Sequence, residues 1–593
     1  MGVLRVCLLG LGLVVSSGAC LPPGPGGGTD AGGDADSSAE VTADSSAEAA
    51  ADIAVEAADV SRGDTTAPAD TSTALDAPRD SAGMVDAVTD GARDGTTDAD
   101  AVGGGPDAVV TDAAPDVGDA RVTPPPSGPR PVSPLSDHRV TRRRPTLRWA
   151  LGEGDGAFVQ LCRDRACADR VLEFEATGTS GAPPTPLAPG VYFWRFFERV
   201  RGARAATPSI PWHFRVDARD TAVDSASAFG ADVNNDRFQD IVMLASPLPT
   251  ELPRAVVVFL GGPTGPGRLP DQRLPADYGG PLQDVNGDGY GDVSVAGALH
   301  LGGPSGLAPT SAGMLPSLPS TPAFGSPVGD VHGDGYADLM VTAGAIGGAR
   351  PTMAIFPGGP TGLSPTPRHT QSTDFFSFSS DVFGRGAGDT NGDGLGDAVF
   401  SVYVLGGLSA ARVLLARPVG DWVSAPGGCF TEAGSDGVPV GDVNGDGYID
   451  LAMHCGGALD GISNPYTSVQ PGGPSGTTTT GALDFGVRGV SALGDVNGDG
   501  CADLLVRERM PTPWGGATAL PRGALYHGVP GATVRATMVR AVDLTDVGLY
   551  PVGDVNGDSY DDVLRVSPRA AELFYGSSTG LALTPGATLA LTP

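Results

Sequence analysis

The chain contains no lysine: all 37 basic residues are Arg, and 69 acids oppose them to leave a formal charge of −32. A protein this acidic is excluded as a whole-chain nucleic-acid binder, because the phosphate backbone repels it. Cysteine is also scarce, seven in 593 residues. That is far below the density of a disulfide scaffold, so folding has to come from apolar cores or bound metal. After residue 20 no apolar run is long enough to span a membrane. Gly and Pro, in contrast, number 90 and 53. Such a content argues against helix-rich architecture and for many turns joining short strands.

Residues 1–20, MGVLRVCLLGLGLVVSSGAC, place Arg5 before an apolar run that ends in small residues, the layout of a secretory signal peptide. The ending Ser17-Gly18-Ala19-Cys20 resembles the lipobox of bacterial lipoproteins, with Ser17 standing where that family has Leu. The resemblance implies lipidation of Cys20, a membrane anchor, and an envelope location. Leu21, in place of an Asp after the Cys, favours the outer membrane. Residues 21–125 carry 22 acids against 4 Arg and almost no aromatics. They cannot bury enough apolar surface to fold and read as a disordered acidic tether, with a reach on the order of 60 Å. The tripeptide Arg62-Gly63-Asp64 within it is a chance product of composition.

From 126 to 216 the composition changes. Apolar stretches at 146–151, 158–162, 191–197 and 212–216 alternate with Pro and Gly, the signal of a small antiparallel β-sandwich. The run Leu187-Ala188-Pro189-Gly190-Val191-Tyr192-Phe193-Trp194, with Trp149 before it, resembles a fibronectin type III domain. The resemblance makes Tyr192 a corner residue and puts Trp149 and Trp194 in the core. This segment has 14 Arg against 8 acids, which suits contact with phosphate-rich envelope polymers or with the acidic tether. Cys162 and Cys167 are close enough for a hairpin disulfide.

Residues 217–593 repeat one nine-residue signature seven times: DVNNDRFQD (232–240), DVNGDGYGD (284–292), DVHGDGYAD (330–338), DTNGDGLGD (389–397), DVNGDGYID (442–450), DVNGDGCAD (495–503) and DVNGDSYDD (554–562). The period is about 54 residues, room for four strands. A companion such as FLGGPTG (259–265) or FYGSSTGL (574–581) accompanies most copies. Oxygen-bearing side chains at the first, third, fifth and ninth positions, with Gly at the sixth for positive φ, let a short loop curl around one hard cation. Calcium fits best, since magnesium wants a stricter octahedron and zinc wants His or Cys. An apolar strand rather than a helix follows each loop, which argues against an EF-hand.

These residues, with Phe229-Gly230, Phe324-Gly325 and Phe383-Gly384 ahead of three loops, resemble the FG-GAP repeats of integrin α-chain propellers. The resemblance implies an all-β fold, a seven-bladed β-propeller with up to seven calcium ions. The ligands it implies are Asp232, Asn234, Asp236 and Asp240 in the first copy and Asp284, Asn286, Asp288 and Asp292 in the second. The third and fourth copies supply Asp330, His332, Asp334, Asp338 and Asp389, Asn391, Asp393, Asp397. The fifth, sixth and seventh supply Asp442, Asn444, Asp446, Asp450, then Asp495, Asn497, Asp499, Asp503, then Asp554, Asn556, Asp558, Asp562. Three copies depart from the pattern: Arg237 replaces the turn Gly in the first, His332 replaces Asn in the third, and Ser559 replaces Gly in the seventh. The first is the weakest site.

Residues 217–593 hold 39 acids and 18 Arg, so seven Ca²⁺ would bring their net charge from −21 to −7. Cys429 and Cys455 flank the fifth loop as a further disulfide candidate, and Cys501 reads as a packed free thiol. No HExxH or GxxxxGK stands in the chain. The GxSxG match at 576–580 aligns with the companion turns and lacks a helix behind it. The sequence therefore points to a non-catalytic, monomeric, calcium-stabilised adhesion module on the cell surface that engages an extracellular glycan or protein through blade-top loops. A polysaccharide lyase or hydrolase on the same scaffold is the alternative.

Overall fold

The computed structural model describes the backbone of Leu4–Leu9 and Gly12–Ser17. From residue 128 onward it describes the chain apart from short segments, of which 456–465 is the longest. The expected tether, Cys20, Phe229 and the side chains of Phe324, Cys429 and Cys455 lie outside the described residues. Every described element is a strand, as the Gly and Pro content requires.

The small domain pairs Arg130–Ser133, Leu147–Ala150 and Ser180–Gly181 in one sheet. A larger sheet runs through Gly156–Cys162, Gly190–Val200 and Trp212–Val216 to His138–Val140. Trp149, Trp194, Trp212, Phe196 and Phe214 fill the space between them and are fully or almost fully buried. The Tyr192 hydroxyl donates to the Ala188 carbonyl at 2.9 Å, and Cys162 and Cys167 form a disulfide. This sheet runs past the boundary expected at 216, because Ala226–Ala228 pairs antiparallel with His138–Val140. Backbone bonds from Thr141 to Ser225 and from Thr221 to Thr141, both 3.1 Å, fold the connecting segment back.

Six of the seven repeats make a four-stranded antiparallel sheet of their own. In the second, Gly279–Gln283 leads into the loop and Asp292–Val295, Ala298–His300 and Gly313–Met314 follow. The ninth Asp of every one of these six signatures starts the second strand, after a bulge that pairs it with the residue before the loop. The first repeat differs. Its leading segment is the one taken by the small domain, and Ile241–Ala245 pairs instead with Gly12–Ser17 in parallel, beyond which Leu4–Leu9 completes a hairpin. The run read as a leader thus occupies an edge that the repeat has left open.

The sheets are separate hydrogen-bonded units joined by shared cores. Sheets 1 and 2, 2 and 3, and so on to 6 and 7 each enclose one apolar cluster. A seventh cluster packs Met243, Val257 and Phe259 of the first sheet against Leu564, Leu573 and Leu589 of the last. No described helix could cross a membrane.

Candidate metal centres

Each signature forms a loop whose first Asp accepts backbone N–H groups from within the loop. In the second copy Asp284 Oδ1 accepts from Gly287 (2.6 Å) and Asp288 (3.1 Å), and its Oδ2 accepts from Gly289 (2.7 Å). The Asn286 amide donates to Asp288 Oδ2 at 2.8 Å, and Asp288 Oδ1 accepts from Tyr290 N–H at 3.0 Å. The fourth, sixth and seventh copies repeat this arrangement.

The turn that points these N–H groups inward needs positive φ at the sixth position, as the spacing predicts: Gly289 has φ +93°. It also needs it at the fourth, a requirement sequence reasoning missed, and Gly287 has φ +70°. A second cause operates there. The seventh-position side chain of the next repeat lies on the fourth-position residue, and a Cβ on Gly287 would meet the Tyr336 ring at 2.7 Å. Tyr448 lies likewise on Gly392, Tyr560 on Gly498 and Phe238 on Gly557. The first copy has Asn235 and Arg237 at these positions, with φ +52° and +87°, and Ser559 in the seventh has φ +66°.

The ninth Asp works as a staple. One oxygen accepts the N–H of the second residue and the other accepts an N–H from the companion motif. For Asp292 these donors are Val285 (3.0 Å) and Gly302 (2.9 Å). The companion bond recurs in every copy, with Gly261, Gly358, Ala416, Gly472, Gly528 and Gly576 as donors at 2.8–3.0 Å. That explains why the two motifs travel together. In the companion turn of the seventh copy the Ser577 hydroxyl donates to the Gly580 carbonyl at 2.7 Å, so the GxSxG match is this turn.

The loops are also joined to one another. The eighth residue of each donates its N–H to the first-position carbonyl of the loop before it: Gly291 to Asp232, Ala337 to Asp284, Gly396 to Asp330, Ile449 to Asp389, Ala502 to Asp442 and Asp561 to Asp495, at 2.8–3.4 Å. Gln239 of the first loop donates in the same way to Asp554 of the seventh, at 3.0 Å.

Burial drives the electrostatics. It pushes Asp284, Asp389, Asp495 and Asp554 up to about 7 and Asp442 up to about 6, and the fifth-position carboxylate of each loop adds to the shift. The ninth-position Asp292 and Asp562 rise to about 8 and about 9, again through burial first. Among the described residues no three His, Cys, Asp or Glu side chains form a group that would hold a metal by themselves. A cation would therefore complete its shell from Asn oxygens, backbone carbonyls and water, as calcium does. Desolvated carboxylates fit such an ion in the second, fourth, fifth, sixth and seventh loops, although in the second His213 Nε2 also faces Asp284 Oδ2 at 3.6 Å. The third fits less well, because His332 Nδ1 bonds Asp338 Oδ2 at 2.9 Å.

The small domain lies on these loops. Arg165 donates to the carbonyls of Gly287, Asp334 and Gly335 at 3.0–3.4 Å and stacks over Tyr336. The Trp212 indole donates to Gly333, Arg130 donates to Asp393 and Gly394, and the Arg219 N–H donates to the Ser559 hydroxyl. Arg139, buried, pairs with Asp217 at 3.3 Å and with Asp561 of the seventh loop at 2.5 Å. The arginines read as contacts for envelope polymers or the tether thus include four, Arg130, Arg139, Arg165 and Arg215, that face the repeats. Their partners are 17 to 422 residues away in the chain, which is why composition could not find them.

Cys501, at the seventh position of the sixth loop, is a buried free thiol. No protein-family model matches the chain, and no curated protein is similar to it.

Proposed function

We propose that residues 217–593 form a calcium-stabilised seven-bladed β-propeller of the FG-GAP kind, and that the protein is a non-catalytic binding module displayed on a bacterial envelope. In this reading the chain is anchored through lipidated Cys20 and spaced from the membrane by residues 21–125. The observation that carries the propeller is the run of eighth-to-first backbone bonds, which passes through all seven loops and returns from the first to the seventh. The core shared by the first and last sheets supports it. Calcium is supported by the buried, mainly oxygen donor sets of the loops, and a binding role by the repeat architecture alone.

The small domain and the segment that follows it cover loops of the first, second, third, fourth and seventh repeats. A partner glycan or protein therefore meets the other end of the sheets, where the hairpins opposite the Asp loops emerge. The test is incubation of the secreted chain with a panel of immobilised envelope and matrix polysaccharides, following both retention and release of new reducing ends. Retention without release supports the binding reading. Release of reducing ends or unsaturated sugars replaces it with the polysaccharide-active enzyme.

A further inference from the structure

The first loop has an arginine on its first-position carboxylate; the arginines paired with the third and seventh loops reach the fifth-position Asp334 and the eighth-position Asp561 instead. Arg215 is the penultimate residue of the strand Trp212–Val216, which is held on one side by Gly190–Val200 and on the other by His138–Val140. Its position is further fixed where Trp212 donates to the Gly333 carbonyl at 3.3 Å. From there the Arg215 Nη1 pairs directly with Asp232 Oδ2, the first-position carboxylate of the first loop, and both side chains are buried, at 7 % and 1 % exposure. Among the described residues no other first-position Asp is ion-paired with an arginine; Asp284 faces His213 at 3.6 Å.

Three further features of this loop agree. The N–H of Arg237 reaches Asp232 Oδ2 at 3.2 Å, whereas the corresponding bonds elsewhere are 2.6–2.9 Å. The carboxylate keeps its loop N–H donors at 3.2 Å while also pairing with the guanidinium. Both glycine positions of the turn carry side chains, Asn235 and Arg237, at positive φ. The Arg237 guanidinium is also part of the loop and lies over Phe238. A fixed, buried guanidinium on a ligand oxygen occupies the carboxylate's charge, and a divalent ion arriving beside it would face a like charge in a poorly screened site.

We propose that Arg215 is the resident cation of the first loop, supplied by the small domain in place of a metal, and that this loop binds no calcium in the native protein. The small domain is thereby locked to the first repeat by a bond that a chelator does not break. The proposal rests on the reading of the other loops as calcium sites.

The test is a count of ions by native mass spectrometry of the full chain, titrated with calcium alone. Asp236→Asn, a fifth-position change in the first loop that leaves Arg215 and Asp232 in place, should leave the wild-type count unchanged. Asp288→Asn, its counterpart in the second loop, should lower the count by one. Arg215→Met should bind one ion more than wild type, as Asp232 loses the guanidinium. Loss of an ion in Asp236→Asn overturns the proposal, as does an unchanged count in a folded Arg215→Met. If Arg215→Met does not fold, the Asp236→Asn comparison decides alone. A wild-type chain that binds no calcium at all fails differently: it removes the calcium reading of every loop, and this proposal with it.

Discussion

Single residues in the loops divide into those that make the turn and those that carry charge, and each kind has a distinct signature. Gly287 has positive φ and sits against Tyr336 and Arg165, whose nearest atoms would lie 2.7 and 2.6 Å from a Cβ. Gly287→Ala should lower stability by about 1–3 kcal/mol through strain and overpacking together, read as a fall in melting temperature. Arg237 occupies the sixth position, equivalent to Gly289, and is likewise left-handed with φ +87°. Arg237→Gly relieves that strain and should raise stability by about 1 kcal/mol, seen as a higher melting temperature. Ser559→Gly should gain less, because its hydroxyl accepts the Arg219 N–H at 3.1 Å. The carboxylates set the response to pH. Asp284, Asp389, Asp495 and Asp554 are held up at about 7 in the metal-free fold, against 3.8 when exposed. The fold then binds protons that the unfolded chain has released, and its stability drops as pH rises from about 4 through about 7. In chelator the protein should melt higher at pH 5 than at pH 8. With calcium the dependence should reverse, because the metal takes the ionised form. A chelated protein that melts higher at pH 8 would contradict this burial.

At the scale of elements, the sequence disclosed more of the loops than of what holds them. The apolar stretches FVQLC and WHFRV, set off by Pro and Gly, marked strands of the small domain, and the nine-residue spacing marked the seven loops. The fourth-position glycine was only half legible as a requirement, because beside the positive φ of its own turn it answers to Tyr336, Tyr448 or Tyr560 of the following repeat, which the loop's own sequence does not show. The staple by the ninth Asp was hidden for a similar reason: its donors, such as Gly302 for Asp292, sit in a motif whose tie to the loop only the folded sheet reveals. The leading strand of the first repeat was read as part of the repeats, but Ala226–Ala228 pairs with His138–Val140. The six other repeats set the register it would take in its own sheet: there, the residues before the loop pair with those just after the ninth Asp. In the first repeat these include Met243 and Leu244, which pair with Leu13 and Val14. Cleavage ahead of Cys20, which lipidation entails, would therefore expose this edge. Hydrogen exchange at 241–245 is expected to be faster in the processed protein than in the uncleaved chain, with 562–566, the equivalent strand of the seventh repeat, unchanged; equal exchange at 241–245 in the two forms would contradict this pairing.

At the scale of the molecule, one basic domain is set against seven acidic loops. Arg139 is the deepest of its contacts, buried between Asp217 and Asp561. Arg139→Met leaves both carboxylates buried without their partner and should cost about 3–5 kcal/mol, with the segment joining the two domains becoming sensitive to protease. Among the described residues Arg165 bonds the second and third loops, so Arg165→Ala should free the carbonyls of Gly287, Asp334 and Gly335 and speed hydrogen exchange in those two loops, leaving the fifth and sixth unchanged. The most direct test of calcium as the ion that stabilises the seven repeats is the thermal unfolding of the full chain in millimolar calcium and again in chelator. A rise of many degrees with calcium, saturating at several ions per chain, is the expected result. An unchanged melting temperature would mean that the buried carboxylates are stabilised by protons and backbone N–H groups alone, and the calcium propeller would have to be abandoned.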